Sequence, residues 1–157
     1  MSIGFTLNGR EVRFCPSPKQ RLLDMLRELG MTSVKEGCSE GECGACTVVM
    51  DGEPVASCTV MAFQAEGSRI VTLEGLAEKG LLHPIQRAFA EHGAVQCGFC
   101  TPGMIMALYA LLVKNPSPTR EQVAEAISGN LCRCTGYLPI IEAAMDASRR
   151  IDAHAAP

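Results

Sequence analysis

The chain has 157 residues, nine of them cysteine, with a net charge of −3, 4% aromatic side chains and no tryptophan. The charge and the lack of a basic block exclude nucleic-acid binding and electrostatic adsorption to a membrane, and so few aromatics leave no stacking platform for bases. The longest apolar run, residues 104–113, is too short to span a bilayer and reads as a buried core helix.

Residues 3–7 and 11–14 are short extended runs around Asn8-Gly9, the signature of a hairpin with a type I′ turn. Cys15 follows the second run, has no partner at ligand spacing and is expected as a small hydrophobe in the core. Residues 21–29 place Leu22, Leu23, Leu26 and Leu29 at helical spacing, with Gly30 as the residue after the cap.

Next comes GCSEGECGACTVVMDGEPVASC. Cys38, Cys43 and Cys46 are spaced C-x4-C-x2-C and Cys58 follows a second hairpin signal, Asp51-Gly52, between strands at 47–50 and 54–57. This is the spacing by which plant-type ferredoxins hold a [2Fe-2S] cluster through four thiolates. The glycines beside the cysteines, Gly37, Gly41 and Gly44, let a loop wrap closely around such a cluster. A zinc site or a disulfide pair is the weaker reading, because structural zinc takes two separated pairs and not three cysteines in one loop. With a strand at 69–73, the first 76 residues read as an α+β unit.

From residue 77 the pattern turns helical. Residues 83–92 are helical, with Ile85, Ala88 and Phe89 on one face; His83 reads as a cap or packing residue. Thr101-Pro102 opens the apolar helix with Thr101 as the expected cap. Asn115-Pro116-Ser117-Pro118 breaks it, Thr119 and Gln122 form a capping box for the next helix, and a last helix starts near 137–139 and runs to about Arg150. The tail at 152–157, which carries His154, is expected to fray. The expected domains are therefore residues 1–76 and a four-helix bundle at 77–157.

That bundle has its own cysteines. Cys97 and Cys100 form a C-x2-C before the apolar helix, and Cys132 and Cys134 a C-x-C after the capping-box helix. If both junctions fall at one end of the bundle, four sulfurs meet. On chemistry alone a four-cysteine zinc site would also fit here.

Together CSEGECGACTV with Cys58, QCGFCTPGM and NLCRCTGY resemble the small iron–sulfur subunit of the xanthine dehydrogenase family of molybdenum hydroxylases. EGLA at 74–77, HPIQ at 83–86 and IIEA at 140–143 extend the resemblance over nearly the whole chain; Leu138 departs from it where many relatives carry a polar residue. The resemblance implies a plant-type ferredoxin-like β-grasp domain followed by an all-α four-helix-bundle domain, an α+β chain with two [2Fe-2S] clusters. It implies that Cys38, Cys43, Cys46 and Cys58 hold the cluster farther from molybdenum, and Cys97, Cys100, Cys132 and Cys134 the nearer one. It places Gln96 and Cys134 against the molybdenum–pterin cofactor of a large partner subunit, and it implies a flavin (FAD) subunit as a further partner.

Neither a dinucleotide fingerprint nor a P-loop occurs, the three histidines stand singly, and no catalytic acid or base is found. The expected function is an electron relay inside an oxidoreductase complex, from molybdenum through two clusters to a flavin subunit or an external acceptor. The face around Gln96 and Gly136 is the expected docking surface. A stand-alone two-cluster carrier is the alternative, with Glu36, Glu40 and Glu42 as its steering charges; a zinc-stabilised interaction module is a third. The N-terminal stretch lacks an apolar export region, so a cytoplasmic location is expected.

Overall fold

The structure is a computed structural model that describes residues 2–77 and 80–155, with side chains described as far as Ile151. Strands β1 (Ile3–Leu7) and β2 (Arg10–Phe14) pair antiparallel through the Asn8-Gly9 turn, whose φ values of 50° and 78° are those of a type I′ turn. Helix α1 (Leu22–Glu28) follows, then the first cysteine loop, then β3 (Thr47–Met50), β4 (Glu53–Ala56) and β5 (Arg69–Val71). The five strands form one mixed sheet in the order β2-β1-β5-β3-β4, with β1 and β5 parallel. Leu22, Leu23, Met25 and Leu26 of α1 are fully buried against Phe5, Val48 and Ile70 of the sheet, so the leucine periodicity marks a true core face.

The helical part contains α2 (Pro84–Glu91), α3 (Thr101–Lys114), α4 (Arg120–Ala126) and α5 (Leu138–Ala155). Helix α3 is buried along most of its length and packs on α2, α4 and β3, as a helix that is apolar all round must. Val49 of β3 and Leu76 join this second core, so the sheet and the bundle share packed side chains.

Three expectations change in detail. Thr101 does not cap α3: the cysteine loop enters already coiled, Cys100 takes the cap position at φ −78°, ψ −19°, and Thr101 Oγ1 is buried without a hydrogen-bond partner among the described residues. Helix α5 continues to Ala155 instead of ending near Arg150; the His154 side chain lies outside the described side chains. Cys15 is exposed and not in the core. It sits just past the edge strand β2, on the outward phase of that strand's alternation, where no further strand covers it.

Candidate metal centres

The first cysteine loop runs from the end of α1 to β3, and Cys58 follows β4, so the β3–β4 hairpin brings the fourth sulfur back to the other three. Ser57 anchors that return: its N–H and its hydroxyl both donate to the Cys46 carbonyl, at 3.4 and 2.8 Å. Backbone N–H groups of Glu40, Glu42 and Cys43 point at Cys38 Sγ from 3.5, 3.3 and 3.4 Å. Those donors, Glu40 and Cys43 foremost, pull the Cys38 thiol down to about 6, which favours its thiolate form. Cys58 goes the other way, to about 11, because it is buried and its sulfur faces that of Cys46. The loop is also cut to fit a bulky group: a Cβ on Gly37 would lie 2.7 Å from Cys43 Sγ.

The second set forms where α3 begins and where the 130–137 loop leads into α5. The Cys132 sulfur is near enough to Cys100 to raise its thiol, and the Cys97 sulfur likewise raises that of Cys134. The two junctions thus fall at the same end of the bundle. Burial and the neighbouring Cys132 push the Cys100 thiol up to about 12. Cys132 is held at about 7: burial raises it, but the Thr135 hydroxyl, the Thr135 and Cys134 backbone N–H groups and the Cys100 thiol together outweigh burial. Thr135 Oγ1 donates to Cys132 Sγ at 3.1 Å. Tyr137 staples the loop, accepting from the Cys132 N–H at 2.8 Å and donating to the Asn130 carbonyl at 3.2 Å.

Within each set the sulfurs perturb one another: Cys43 acts on Cys38 and Cys46 on Cys58, and Cys97 acts on Cys134 and Cys132 on Cys100. Among the described residues no group of three or more such side chains converges on the point a single metal ion would occupy. Four cysteine sulfurs in each set suit a cluster of two irons, and the donor sets fit two [2Fe-2S] groups in number and ligand type.

The two sets are fastened to each other. Leu131 N–H donates to the Cys43 carbonyl at 2.9 Å, joining a residue adjacent to Cys132 to a residue of the first set. The buried Asn130 side chain donates to the Gly44 carbonyl at 3.0 Å and to Thr47 Oγ1 at 3.2 Å. Helix α3 presses on the same loop at Gly103, where an added Cβ would lie 2.2 Å from the Gly44 carbonyl oxygen. The sequence reading missed Asn130, Thr135 and Gly103; only their place beside the cysteines, in NLCRCTGY and CTPG, hinted at them.

Gln96, Cys97, Cys134 and Gly136 are exposed, and so are four large apolar side chains around them: Val95, Phe99, Leu131 and Leu138. His83 caps α2, accepting from the Ile85 N–H at 3.3 Å, and packs edge-on against Tyr109; it is remote in role from either set. No helix among the described residues is long and apolar enough to cross a membrane.

Two protein-family models match the chain: a 2Fe-2S iron-sulfur cluster binding domain over residues 5–77 and a [2Fe-2S] binding domain over residues 72–145. The chain is 56% identical over 151 residues to the nicotinate dehydrogenase small FeS subunit of Eubacterium barkeri, covering 96% of each. It is 48% identical to the xanthine dehydrogenase iron-sulfur-binding subunit of Escherichia coli O157:H7, covering 95% of each. Among solved structures, quinoline 2-oxidoreductase from Pseudomonas putida 86 superposes with a TM-score of 0.91 at 47% identity, covering 96% of both chains. The aldehyde oxidoreductase of Desulfovibrio gigas superposes with a TM-score of 0.94 at 42% identity; the match covers 98% of this chain and 17% of that one.

Proposed function

The chain belongs to the small iron–sulfur subunits of the xanthine dehydrogenase family of molybdenum hydroxylases, and from that premise we propose which residues carry its electron relay and in what order. It is the electron-transfer subunit of an oxidoreductase complex whose partner is a molybdenum subunit. Cys97, Cys100, Cys132 and Cys134 hold the cluster nearer molybdenum; Cys38, Cys43, Cys46 and Cys58 hold the outer one. When bound, each cluster supplies a one-electron redox centre.

This chain's own residues do the positioning. Cys97, Cys134 and Gln96 lie on the exposed apolar face with Val95, Phe99, Leu131 and Leu138, and that face is the docking surface for the molybdenum subunit, with Gln96 and Cys134 against its pterin cofactor. An obligate interface has an apolar centre of this kind. Cys46 and Cys58 are shielded from water by the sheet core, whereas the loop around Cys38 is open to solvent and faces the acceptor, which we take to be a flavin subunit. The observation that carries the reading is the Leu131 N–H to Cys43 carbonyl hydrogen bond, which joins the two cysteine sets by one short contact.

We assign the chain the relay alone and no substrate chemistry. Relatives named for nicotinate, nicotine, xanthine and aldehydes all resemble it, which agrees with substrate choice residing in the molybdenum subunit. Nine cysteines without a disulfide suit a reducing compartment, the cytoplasm. We put the boundary between the ferredoxin-like and helical units at residue 76; the last strand ending at Val71 and the overlap of the family matches over residues 72–77 support it.

The test is iron, zinc and acid-labile sulfide analysis of the full chain as purified, with paramagnetic resonance after reduction and identification of co-purifying chains. Two clusters, two spectra and a large molybdenum-containing partner are expected. Zinc without sulfide, or a two-cluster protein that purifies alone, would overturn the reading.

A further inference from the structure

Backbone N–H groups serve both cysteine sets, but only the second also receives a hydroxyl. Cys38 is served by three backbone N–H groups, which no substitution at those positions removes, proline apart. Cys132 has, beside the backbone N–H groups of Cys134 and Thr135, a side-chain donor that a substitution can remove: the Thr135 hydroxyl, 3.1 Å from its sulfur. The hydroxyl is not free to turn away. Gly136 and Tyr137 both have left-handed backbones, at φ 67° and 68°, and this tight turn brings the Tyr137 N–H back to Thr135 Oγ1 at 3.2 Å. That N–H occupies a lone pair of the hydroxyl oxygen and leaves its proton to point at the sulfur. The conformation is uncommon for a residue as bulky as tyrosine, and the Tyr137 phenol holds it in place by bonding to Cys132 N–H and the Asn130 carbonyl. Four groups therefore fix one O–H···S contact.

We propose that Thr135 tunes the reduction potential of the cluster bound by Cys132, raising it through this hydroxyl-to-sulfur hydrogen bond. The inference rests on the assignment of Cys132 to the second cluster. Reduction by one electron adds one negative charge, part of which resides on the thiolate sulfurs, and no bond is made or broken. A donor aimed at a sulfur stabilises the more negative, reduced form more than the oxidised one, so it raises the potential. Thr135 is thus a positioning residue for the relay: it makes the inner cluster a better acceptor of the electron that arrives from molybdenum, and its action is confined to one of the two clusters.

The experiment compares Thr135→Val, which keeps the shape and removes the O–H, with Thr135→Ser, which keeps the O–H. Each full chain is purified in the assembly it forms and titrated with dithionite as the electron donor, and the two clusters are followed separately by paramagnetic resonance. In Thr135→Val the equilibrium constant for reducing the second cluster should fall by roughly three- to tenfold. That is a drop of about 30–60 mV at 59 mV per tenfold for one electron. The first cluster should keep its potential, and Thr135→Ser should restore most of the second cluster's. An unchanged potential in Thr135→Val with both clusters present overturns the proposal, as does an equal drop in Thr135→Ser, which would make the effect one of loop shape. If Thr135→Val loses the second cluster, Thr135→Ala carries the same comparison; loss from both would assign Thr135 to holding the loop and would also overturn it. None of these outcomes alters the iron and sulfide count of the parent protein, on which the relay itself stands or falls.

Discussion

Gly103→Ala should loosen the joint between the two cysteine sets. Gly103 is in the first turn of α3 and is buried, and the Cβ of an alanine there would sit 2.2 Å from the Gly44 carbonyl oxygen, 3.2 Å from its carbonyl carbon and 3.3 Å from the Ala45 Cα. All three are backbone atoms, so no side chain can swing aside. The helix or the loop must retreat by about 1 Å to reach ordinary van der Waals separation. Two terms oppose each other. Alanine is the better helix former by about 0.8–1 kcal/mol, while overpacking a rigid contact costs about 1–3 kcal/mol and at times more. Because the obstacle is backbone on both sides, the cost is expected at the upper end, leaving a net loss of about 1–2 kcal/mol. In a chain of this length that lowers the melting temperature by about 2–8 °C. The assay is the thermal loss of visible circular dichroism from the bound clusters. Gly129→Ala is the control, since its added Cβ would meet nothing within 4 Å. Retreat of the loop also stretches the Leu131–Cys43 and Asn130–Gly44 hydrogen bonds, so magnetic coupling between the two reduced clusters should weaken. A Gly103→Ala protein as stable as the parent, with unchanged coupling, would refute this account of the joint.

Cys134→Ser should lose the second cluster and keep the first, halving iron and sulfide, whereas Cys15→Ser should leave both counts unchanged because Cys15 is exposed at a sheet edge; metal analysis reads both. Glu74 gives a pH dependence. Burial pushes its carboxyl up, but the Ser33 hydroxyl and N–H, at 2.6 and 2.9 Å, and the Thr72 hydroxyl, at 2.7 Å, together hold it below its ordinary 4.5. A carboxylate whose folded value is depressed stabilises the fold above its unfolded value, and that stability is lost as pH falls through the folded value. Denaturation midpoints at pH 6 and pH 4 should therefore converge in Glu74→Gln relative to the parent; an identical pH slope in both proteins would show that the Glu74 bonds contribute nothing.

The cysteine motifs were legible because a cluster-binding loop is a local demand. Cys38, Cys43 and Cys46 must lie on one short loop, and a loop of that length leaves its mark as spacing. Both hairpins were legible for the same reason: Asn8-Gly9 and Asp51-Gly52 satisfy the left-handed backbone the turns require, with no help from the rest of the chain. The alternation of leucines placed α1 on its core face, and the apolar run marked α3 as central. Local rules also misjudged details where neighbours overrode them. Thr101 lost the cap to Cys100 because Cys100 already has a helical backbone, and Cys15 stayed outside because the sheet ends at β2.

What the sequence determined by itself was the spacing of the cysteines within each motif, the turns and the order of elements, all of them properties of residues close together along the chain. What only the tertiary structure decided was how the halves meet. Asn130 reaches Gly44 across 86 residues, and Gly103 meets that same carbonyl because α3 lies on the loop. No periodicity or spacing encodes such contacts, since they depend on where two separately formed surfaces come to rest, and on that depends whether two cysteine sets make one path for an electron.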